Sequence, residues 1–535
     1  MRKYILYLLP LLFLTSCLSE NPKSQLPEGE VYKSASELYI NAVATLYNYI
    51  GGSSESQGLQ GTYRGVYDYN TFSTDEAMLP TRGGDWYDGG FWQNLYLHAW
   101  TPTDNSLYNT WNYLYKVIVL CNQSLAAIDR HGDLLDSSRK QAYTAEVRAL
   151  RAMFYYYLQD LFGNVPLVTA ADTPLDQIGQ SGRSSVFDFC VQELQQAAPS
   201  LPRGHSNYEG SNYGRITRPV AYFLLAKLAL NAEIYSDDDW TDAQKPSGKS
   251  IFFNVDGQKL NAWETVVAYC DKIKAEGFSL SGDYAANFSV HNETSPENIF
   301  TIPMDKDLYA NQFQYLFRSR HYNHGGALGM DAENGTCATL STLRTYGYGT
   351  PAVDSRYAVN FYSDTLRVDG SIVRLDNGEA LVYKPLEVRL DLSGTAYEKT
   401  AGARMAKYEI DRTAHEDGKL QDNDIVLFRY ADVLLMAAEA KVRNGGDGSA
   451  ELNQVRRRVG MAARRATLDN ILDERLLELM WEGWRRQDLI RFGRFCQAYD
   501  QRPQLPSEKD GHTAVYPIPD KALKLNKQLR QNPGY

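Results

Sequence analysis

Apolar residues recur at helical spacing along several long segments of the chain. In residues 144–162, TAEVRALRAMFYYYLQDLF, alanines mark one apolar face, and leucine and phenylalanine side chains mark a second. A helix with two apolar faces packs on both sides, and Gly163 with Pro166 would end it. Residues 219–234 predict another apolar helix, whose alanines would let a neighbouring helix approach closely.

The C-terminal part of the chain predicts three more helices in succession. They cover residues 422–446, 451–460 and about 470–495, and glycines end the first two. Tetratricopeptide-type pairs have this pattern: two helices joined by a short turn, with small residues where the helices touch. No strict repeat of about 34 residues is visible in this sequence. The pattern therefore predicts a mostly α fold built from helix pairs.

Long segments between these helices lack helical spacing. Residues 284–311 and 316–389 are rich in Gly, Asn, Tyr and Thr, and they include short alternating pieces such as SIVRLDN and ALVYKPL. Their aromatic content is typical of ordered loops rather than of disorder. We therefore expect one domain over residues 31–535, with a loop-rich insert at about 280–420 and a few short strands.

The first residues are typical of an export signal. Arg2 and Lys3 precede an apolar run, and LTSC (14–17) closes it with small residues before a cysteine. The ending resembles a bacterial lipoprotein box, which predicts a signal peptide over 1–16 and a lipidated Cys17; an ordinary signal peptide with a chance cysteine is the alternative. Residues 17–30 would form a flexible tether to the lipid-anchored end.

The charge and the cysteine content of the chain argue against several classes of function. The net charge is −10, and the acidic and basic residues are scattered along the chain instead of forming a basic patch, so a nucleic-acid partner is not expected. Apart from Cys17, the cysteines are odd in number and far apart, so neither a disulfide framework nor a paired metal site is indicated. The 38 tyrosines against 19 phenylalanines suit surfaces that bind polar, ring-shaped ligands.

Motifs spread over the whole chain resemble the SusD/RagB family of outer-membrane nutrient-binding lipoproteins. In chain order they are LTSC (14–17), AEVRALRAMFYYYLQDLFGNVPLV (145–168), FRYADVLLMAAEA (428–440), LNQVRRRVG (452–460), ERLLELMWEGWRRQDLIRFG (474–493) and the closing YPIPDKALKLNKQLRQNPGY (516–535). The resemblance implies a fold of about four tetratricopeptide-like helix pairs. It also implies a non-catalytic surface lipoprotein that captures glycans for a SusC-like TonB-dependent transporter in the outer membrane.

The stretch RGGDWYDGGFWQNLYLHAW (82–100) is the strongest candidate for ligand contact. Sugar rings stack on aromatic faces while Asp, Asn and Arg side chains bond their hydroxyls. For Trp86, a role in ligand contact and a role in local structure both stay open. Trp92 and Trp100 are expected to pack beneath the loop. The full candidate set is Trp86, Asp85, Asp88, Arg82 and Asp68, with Tyr69, Asp75 and Glu76 as secondary choices and, from the irregular middle by analogy with the family, Tyr322, Asn334 and Arg404.

Other chemistries have weaker support. Glu474, Glu478 and Glu482 share one helix face and could serve a surface glycosidase, but neighbouring arginines favour structural ion pairs. His321 and His324 lack a third metal ligand, and the acidic loop YSDDDW (235–240) could bind a structural calcium ion. No cofactor is expected. Peptide or glycoprotein cargo is the alternative to glycan.

Overall fold

The computed structural model describes residues 31–535. The predicted signal peptide (1–16), the lipidated Cys17 and the tether (17–30) lie outside the described residues. None of the helices within residues 31–535 combines the length and the apolar character needed to cross a membrane.

Helices dominate the described part of the chain, and the predicted mostly α fold is confirmed. A π-helical turn, Ile40–Ala44, joins the first two α-helices. The α-helices are α1 (Ala35–Tyr39), α2 (Thr45–Tyr47), α3 (Val66–Thr71), α4 (Phe91–Leu97), α5 (Asn105–Arg130), α6 (Ser137–Phe162), α7 (Arg183–Ala197), α8 (Arg218–Leu230), α9 (Ala232–Tyr235), α10 (Ala262–Ala275), α11 (Gln314–Ser319), α12 (Tyr322–Leu328), α13 (Leu340–Thr345), α14 (Tyr357–Asn360), α15 (Tyr430–Arg443), α16 (Ser449–Arg458), α17 (Leu468–Leu479), α18 (Arg485–Arg491) and α19 (Asp520–Leu525).

The long helices form a stack in which each helix packs against the next. Helix α5 packs on α6, α6 on α7, α7 on α8, α8 on α10 and α10 on α15, and α15 also contacts α16 and α17. This arrangement is consistent with tetratricopeptide-like pairing. One hydrophobic core includes residues from Leu38 to Ala522, so the stack and the segments around it share the same interior.

Helix α6 lies in the middle of the stack because both of its faces are apolar. Almost every residue from Ala145 to Phe162 is buried. The Asp136 carboxylate accepts a hydrogen bond from the Arg139 backbone N–H and caps the start of the helix. At the other end Gly163 has φ 67°, and a Cβ there would lie 2.5 Å from Trp240 Cη2, so only glycine fits.

Two of the predicted helices have different boundaries in the structure. The segment predicted as a helix over 422–446 begins as a strand, Ile425–Arg429, and turns helical only at Tyr430. The helix predicted at about 470–495 is broken between α17 and α18, where Trp481 has φ 69° and Gly483 has φ 73°. Left-handed backbone at these residues cannot continue an α-helix.

The strands are short and form only two-stranded antiparallel pairs within residues 31–535. The pair formed by Ala77–Met78 and Cys337–Ala338 ties the N-terminal region to the loop-rich middle, and the pair formed by Asn298–Ile302 and Ile425–Arg429 ties that middle to the start of α15. The strands are β1 (Ala77–Met78), β2 (Phe252–Val255), β3 (Gln258–Asn261), β4 (Asn298–Ile302), β5 (Cys337–Ala338), β6 (Phe361–Tyr362), β7 (Asp364–Thr365), β8 (Arg367–Val368), β9 (Ser371–Ile372), β10 (Val382–Tyr383), β11 (Arg404–Met405) and β12 (Ile425–Arg429).

Candidate functional site

The candidate site is built around the loop of residues 82–90, which lies just before α4. Backbone hydrogen bonds between Arg82 and Asp85 close a tight turn, from Arg82 N to Asp85 O at 2.9 Å and from Asp85 N to Arg82 O at 3.3 Å. Trp86 and Asp88 have φ of 63° and 44°. Non-glycine residues in this left-handed region cost about 1–2 kcal/mol each, so the surrounding contacts must hold the loop in place.

Trp86 is partly exposed and is held from several directions. Its Nε1 donates a hydrogen bond to the Glu333 carbonyl oxygen at 2.9 Å. Its ring meets Trp92 edge-on with centroids 6.1 Å apart and lies 6.4 Å from the Tyr63 ring. Gly335 lets the indole approach, because a Cβ on that residue would lie 2.8 Å from Trp86 Cε2. The ring is therefore a fixed, partly accessible aromatic surface.

Asp85 connects this loop to two other parts of the chain. Its Oδ2 accepts hydrogen bonds from Tyr322 Oη at 2.7 Å and from Lys399 Nζ at 2.8 Å. The hydrogen bond from Lys399, followed by that from Tyr322, lowers the pKa of Asp85. Burial, and then Asp85, raises the pKa of the Tyr322 hydroxyl. Both side chains therefore keep their ordinary charge at neutral pH.

Asp88, which follows Trp86 in the sequence, is also held by two hydrogen bonds to a single carboxylate oxygen. Its Oδ2 accepts from Trp92 Nε1 at 2.7 Å and from Arg64 Nη2 at 2.7 Å. Asp88 and Asp85 thus both bond through Oδ2, and neither Oδ1 atom accepts a hydrogen bond from residues 31–535. Each aspartate keeps one carboxylate oxygen available to a ligand hydroxyl.

Four of the predicted ligand residues are buried instead of exposed, which corrects their predicted placement. Asp68 is fully buried and forms a two-point ion pair with Arg318, with N–O distances of 2.7 and 3.0 Å. Arg82 and Arg404 are fully buried and donate to backbone carbonyl groups. Asn334 is also fully buried, at φ 55°.

Among these buried residues, Arg82 positions the loop without reaching its surface. Arg82 donates to the carbonyl oxygens of Gly335, Glu398 and Ala401, so it ties the loop to two distant segments. Burial, together with the nearby Arg404, lowers the pKa of Arg82 to about 9. We therefore assign Arg82 a positioning role and leave it out of the ligand contacts.

The secondary candidates have structural roles as well. Tyr69 is buried in the core, and Asp75 forms a two-point ion pair with Arg485 at 2.7 and 2.8 Å. Glu76 is buried, and burial raises its pKa to about 8. Trp92 and Trp100 are buried as expected, at 1% and 7% exposure. Trp92 packs against Trp86 of the loop, whereas Trp100 packs against His98 and Tyr516.

The structure also brings to the site residues that sequence reasoning missed. Tyr87 is 60% exposed directly beside Trp86, and its place in the same glycine-rich loop was the signal that could have found it. Lys399, Arg64 and Glu333 come from distant segments. Nothing in the local sequence marks those three residues.

The glycosidase alternative on the Glu474–Glu478–Glu482 face is wrong. All three carboxylates are buried. Arg356 contacts Glu474 and Glu478 at 2.7 Å each, and Arg429 contacts Glu482 at 2.7 Å. Burial acts to raise the pKa of Glu478, but the surrounding arginines lower it well below its usual range. A carboxylate held ionised and away from solvent cannot protonate a leaving group.

The metal candidates have other partners. His321 Nδ1 accepts from the Asn323 backbone N–H at 3.1 Å, and His324 Nδ1 lies 3.1 Å from Tyr383 Oη. Within residues 31–535 no group of three or more His, Cys, Asp or Glu side chains is arranged to hold a metal ion. In the acidic loop, Asp238 caps the start of α7 by accepting from the Ser184 backbone N–H at 2.8 Å.

Comparisons with known proteins identify the family. A model described as "SusD family" matches residues 296–535, and one described as "Starch-binding associating with outer membrane" matches residues 39–230. The starch-binding protein SusD of Bacteroides thetaiotaomicron is 22% identical, over 90% of this chain and 87% of its own length. The SusD-like protein P25 of Formosa agariphila is 24% identical, over 97% and 96%.

Solved structures show the same fold. The surface glycan-binding protein A from Bacteroides thetaiotaomicron, in complex with laminarihexaose, superposes with a TM-score of 0.71 at 21% identity, over 94% of this chain and 99% of that one. A laminarin-binding SusD-like protein gives a TM-score of 0.69 at 21% identity, over 94% of this chain and 100% of that one.

Proposed function

Because the chain belongs to the SusD/RagB family, we propose that it is a non-catalytic lipoprotein that captures glycans at the outer membrane. The observation that carries the proposal is the arrangement of the loop 82–90. Trp86 is a fixed aromatic surface between two aspartates, and each aspartate has one carboxylate oxygen without a partner in the described chain.

This arrangement supplies what a sugar ring needs. The apolar C–H face of a sugar can stack on the Trp86 indole or on the exposed Tyr87 and Tyr322 rings, which are 60% and 42% exposed. The free Oδ1 atoms of Asp85 and Asp88 can accept hydrogen bonds from hydroxyl groups. Because the residues are already held in place, binding does not have to order them.

The relatives support a glycan as the ligand. SusD of Bacteroides thetaiotaomicron is named as starch-binding, and two solved neighbours are described with laminarihexaose or laminarin. We infer neutral glucans as the first class to test on this chain. A lipid anchor at Cys17 would keep the site at the membrane surface, and a SusC-like transporter would receive the captured glycan. The capture itself needs no cofactor, and the acidic loop 235–240 is the place to look for a structural calcium ion.

Calorimetry on the chain from residue 18 onward, which retains every residue that the structure describes, tests the proposal. We expect saturable binding to one class of polysaccharide, no release of hydrolysis products, and no binding to peptides. Trp86→Ala should weaken binding about tenfold, since loss of one aromatic contact is worth about 1–2 kcal/mol. Phe252→Ala removes another exposed aromatic, from the β2–β3 hairpin, and should leave affinity unchanged.

Three outcomes would contradict the proposal. Wild-type affinity in Trp86→Ala would remove the loop from the site. Binding of peptides or glycoproteins through their protein part would favour the alternative cargo. Release of shorter saccharides on incubation would show an activity that the proposal does not include.

A further inference from the structure

A second cleft, separate from the loop 82–90, is lined by four tyrosine side chains. Its volume is about 440 Å³, within the range of small-molecule sites. Residues from the segments 39–51, 213–215 and 302–311 form its walls, and none of the described residues in these walls belongs to the loop 82–90. The tyrosines are Tyr39, Tyr47 and Tyr213, which are partly exposed, and Tyr309, which is 42% exposed.

A π-helical turn brings Tyr39 and Tyr47 onto the same side of their helix. The turn, Ile40–Ala44, lies between α1 and α2. Two positions eight residues apart on an α-helix point about 80° away from each other, and the extra residue of a π-turn reduces this angle to about 20°. Both tyrosine hydroxyls donate to the same Glu146 Oε2 atom, at 3.3 and 2.8 Å. The helix therefore presents two fixed tyrosines to one wall of the cleft.

The walls of the cleft carry no unbalanced charge. Arg215 is the one charged side chain among the described residues that line it. Its guanidinium forms a two-point ion pair with the buried Glu146 carboxylate, through Nη2 and through Nε at 3.2 Å. Tyr213 is also fixed, since its Oη donates to Asp424 Oδ1 at 2.8 Å. A charged ligand would therefore find no free counter-ion in these walls, whereas a neutral ligand needs none.

Polar atoms without partners stand beside the tyrosines. Asn48 is exposed, and its side-chain amide forms no hydrogen bond with residues 31–535. Asn311 Nδ2 donates to the Pro303 carbonyl oxygen at 3.0 Å, but Asn311 Oδ1 accepts no hydrogen bond from the described chain. The Tyr309 hydroxyl is likewise available. Amide and phenol groups together supply the donors and acceptors that sugar hydroxyls require.

We propose that this cleft is a second carbohydrate site, which binds a short neutral segment of a glycan. The Tyr309 ring would stack on a sugar face, and the amides of Asn48 and Asn311 would bond its hydroxyls. An apolar protein segment fits less well, because it would cover these amides without offering them partners. The inference rests on the proposed function for its ligand class, a glycan, but it does not depend on Trp86.

Saturation-transfer NMR titrations on the chain from residue 18 onward test the cleft. The probes are neutral hexasaccharides of glucose, mannose, galactose or xylose, and an uncharged peptide with Leu and Phe side chains. We expect at least one hexasaccharide to bind Trp86→Ala still. Adding Tyr309→Ala to that variant should weaken the remaining binding about tenfold, whereas Tyr309→Phe, which keeps the ring, should retain most of it.

Asn48→Ala tests the hydrogen bonds, and Tyr208→Ala is the matched control for the ring. Since the Asn48 amide has no partner in the described chain, its loss should weaken saccharide binding about threefold and leave the thermal midpoint unchanged. Tyr208 is 37% exposed, similar to Tyr309, but stacks on His205 outside the cleft. Tyr208→Ala should leave binding unchanged.

The variants separate this inference from the proposed function. If Trp86→Ala abolishes all saccharide binding, the loop 82–90 stands and the second site does not exist. If Tyr309→Ala alone abolishes it, the cleft stands and the loop is not the site. Failure of Tyr309→Ala to weaken any hexasaccharide would overturn the inference. Binding of the peptide in place of every hexasaccharide would assign the cleft to a protein partner, and a wild type that binds no hexasaccharide would overturn both proposals.

Discussion

A single methyl group on Gly335 should displace the aromatic surface without altering any side chain that we expect to touch a ligand. A Cβ at this position would lie 2.8 Å from Trp86 Cε2 and 3.0 Å from Cζ2, against the 3.4 Å or more of ordinary contact. Gly335→Ala must therefore move the indole by more than half an ångström. That movement acts on the 2.9 Å hydrogen bond from Trp86 Nε1 to the Glu333 carbonyl oxygen.

The size of the effect follows from these contacts. Overpacking costs about 1–3 kcal/mol, and the strained hydrogen bond adds to it about 0.5–1.5 kcal/mol. For a chain of this length, the combined cost of about 1.5–4.5 kcal/mol corresponds to a drop of about 1–4 °C in the thermal midpoint. We expect glycan affinity to fall about five- to tenfold, because the indole is no longer aligned with the two aspartates.

Gly84→Ala is the matched control, since it adds the same methyl group in the same loop with no atom within 4 Å of the new Cβ. Calorimetric titration and thermal unfolding of both variants give the comparison. The reasoning is refuted if Gly335→Ala binds glycan as tightly as the wild type while its thermal midpoint falls. Binding would then not depend on where the Trp86 ring lies.

Two further predictions concern the buried charges. Glu478→Gln should lower the free energy of unfolding by about 3–5 kcal/mol in a denaturant titration, because it leaves buried arginines uncompensated. The control is Glu379→Gln at an exposed position, and equal stability of the two variants would contradict the prediction. Burial raises the pKa of Glu76 to about 8, above its unfolded value, so the stability that its protonated form contributes should be lost as pH rises from about 4.5 to 8. Glu76→Gln should flatten that decline, and an unchanged slope would argue against it.

The scaffold was more predictable than the site because its signals are local. Two apolar faces over 144–162 correctly indicated a helix packed on both sides, and it became α6. The break between α17 and α18 was missed because Trp481 adopts left-handed backbone inside an otherwise helical pattern. Only Gly483, two residues further on, gave a local sign of that break.

The site depends on partners that are remote in sequence. Asp68 and Arg318 are 250 positions apart, and Arg82 and Gly335 are 253 apart. Charged and glycine-rich loops are expected at the surface, but a neighbouring segment can cover their polar side chains when it supplies every hydrogen bond. Arg82 and Arg404 are buried in this way by backbone carbonyls, whose positions no residue pattern reveals.

The two aspartates that flank Trp86 show why composition alone did not separate binding from structure. In each one, Oδ2 fixes the loop to other segments, through Lys399 and Tyr322 for Asp85 and through Arg64 for Asp88. In each one, Oδ1 has no partner in the described chain. Ligand contact and local structure are therefore not competing roles for these residues, since the bonds to one oxygen hold the other where a hydroxyl group could meet it.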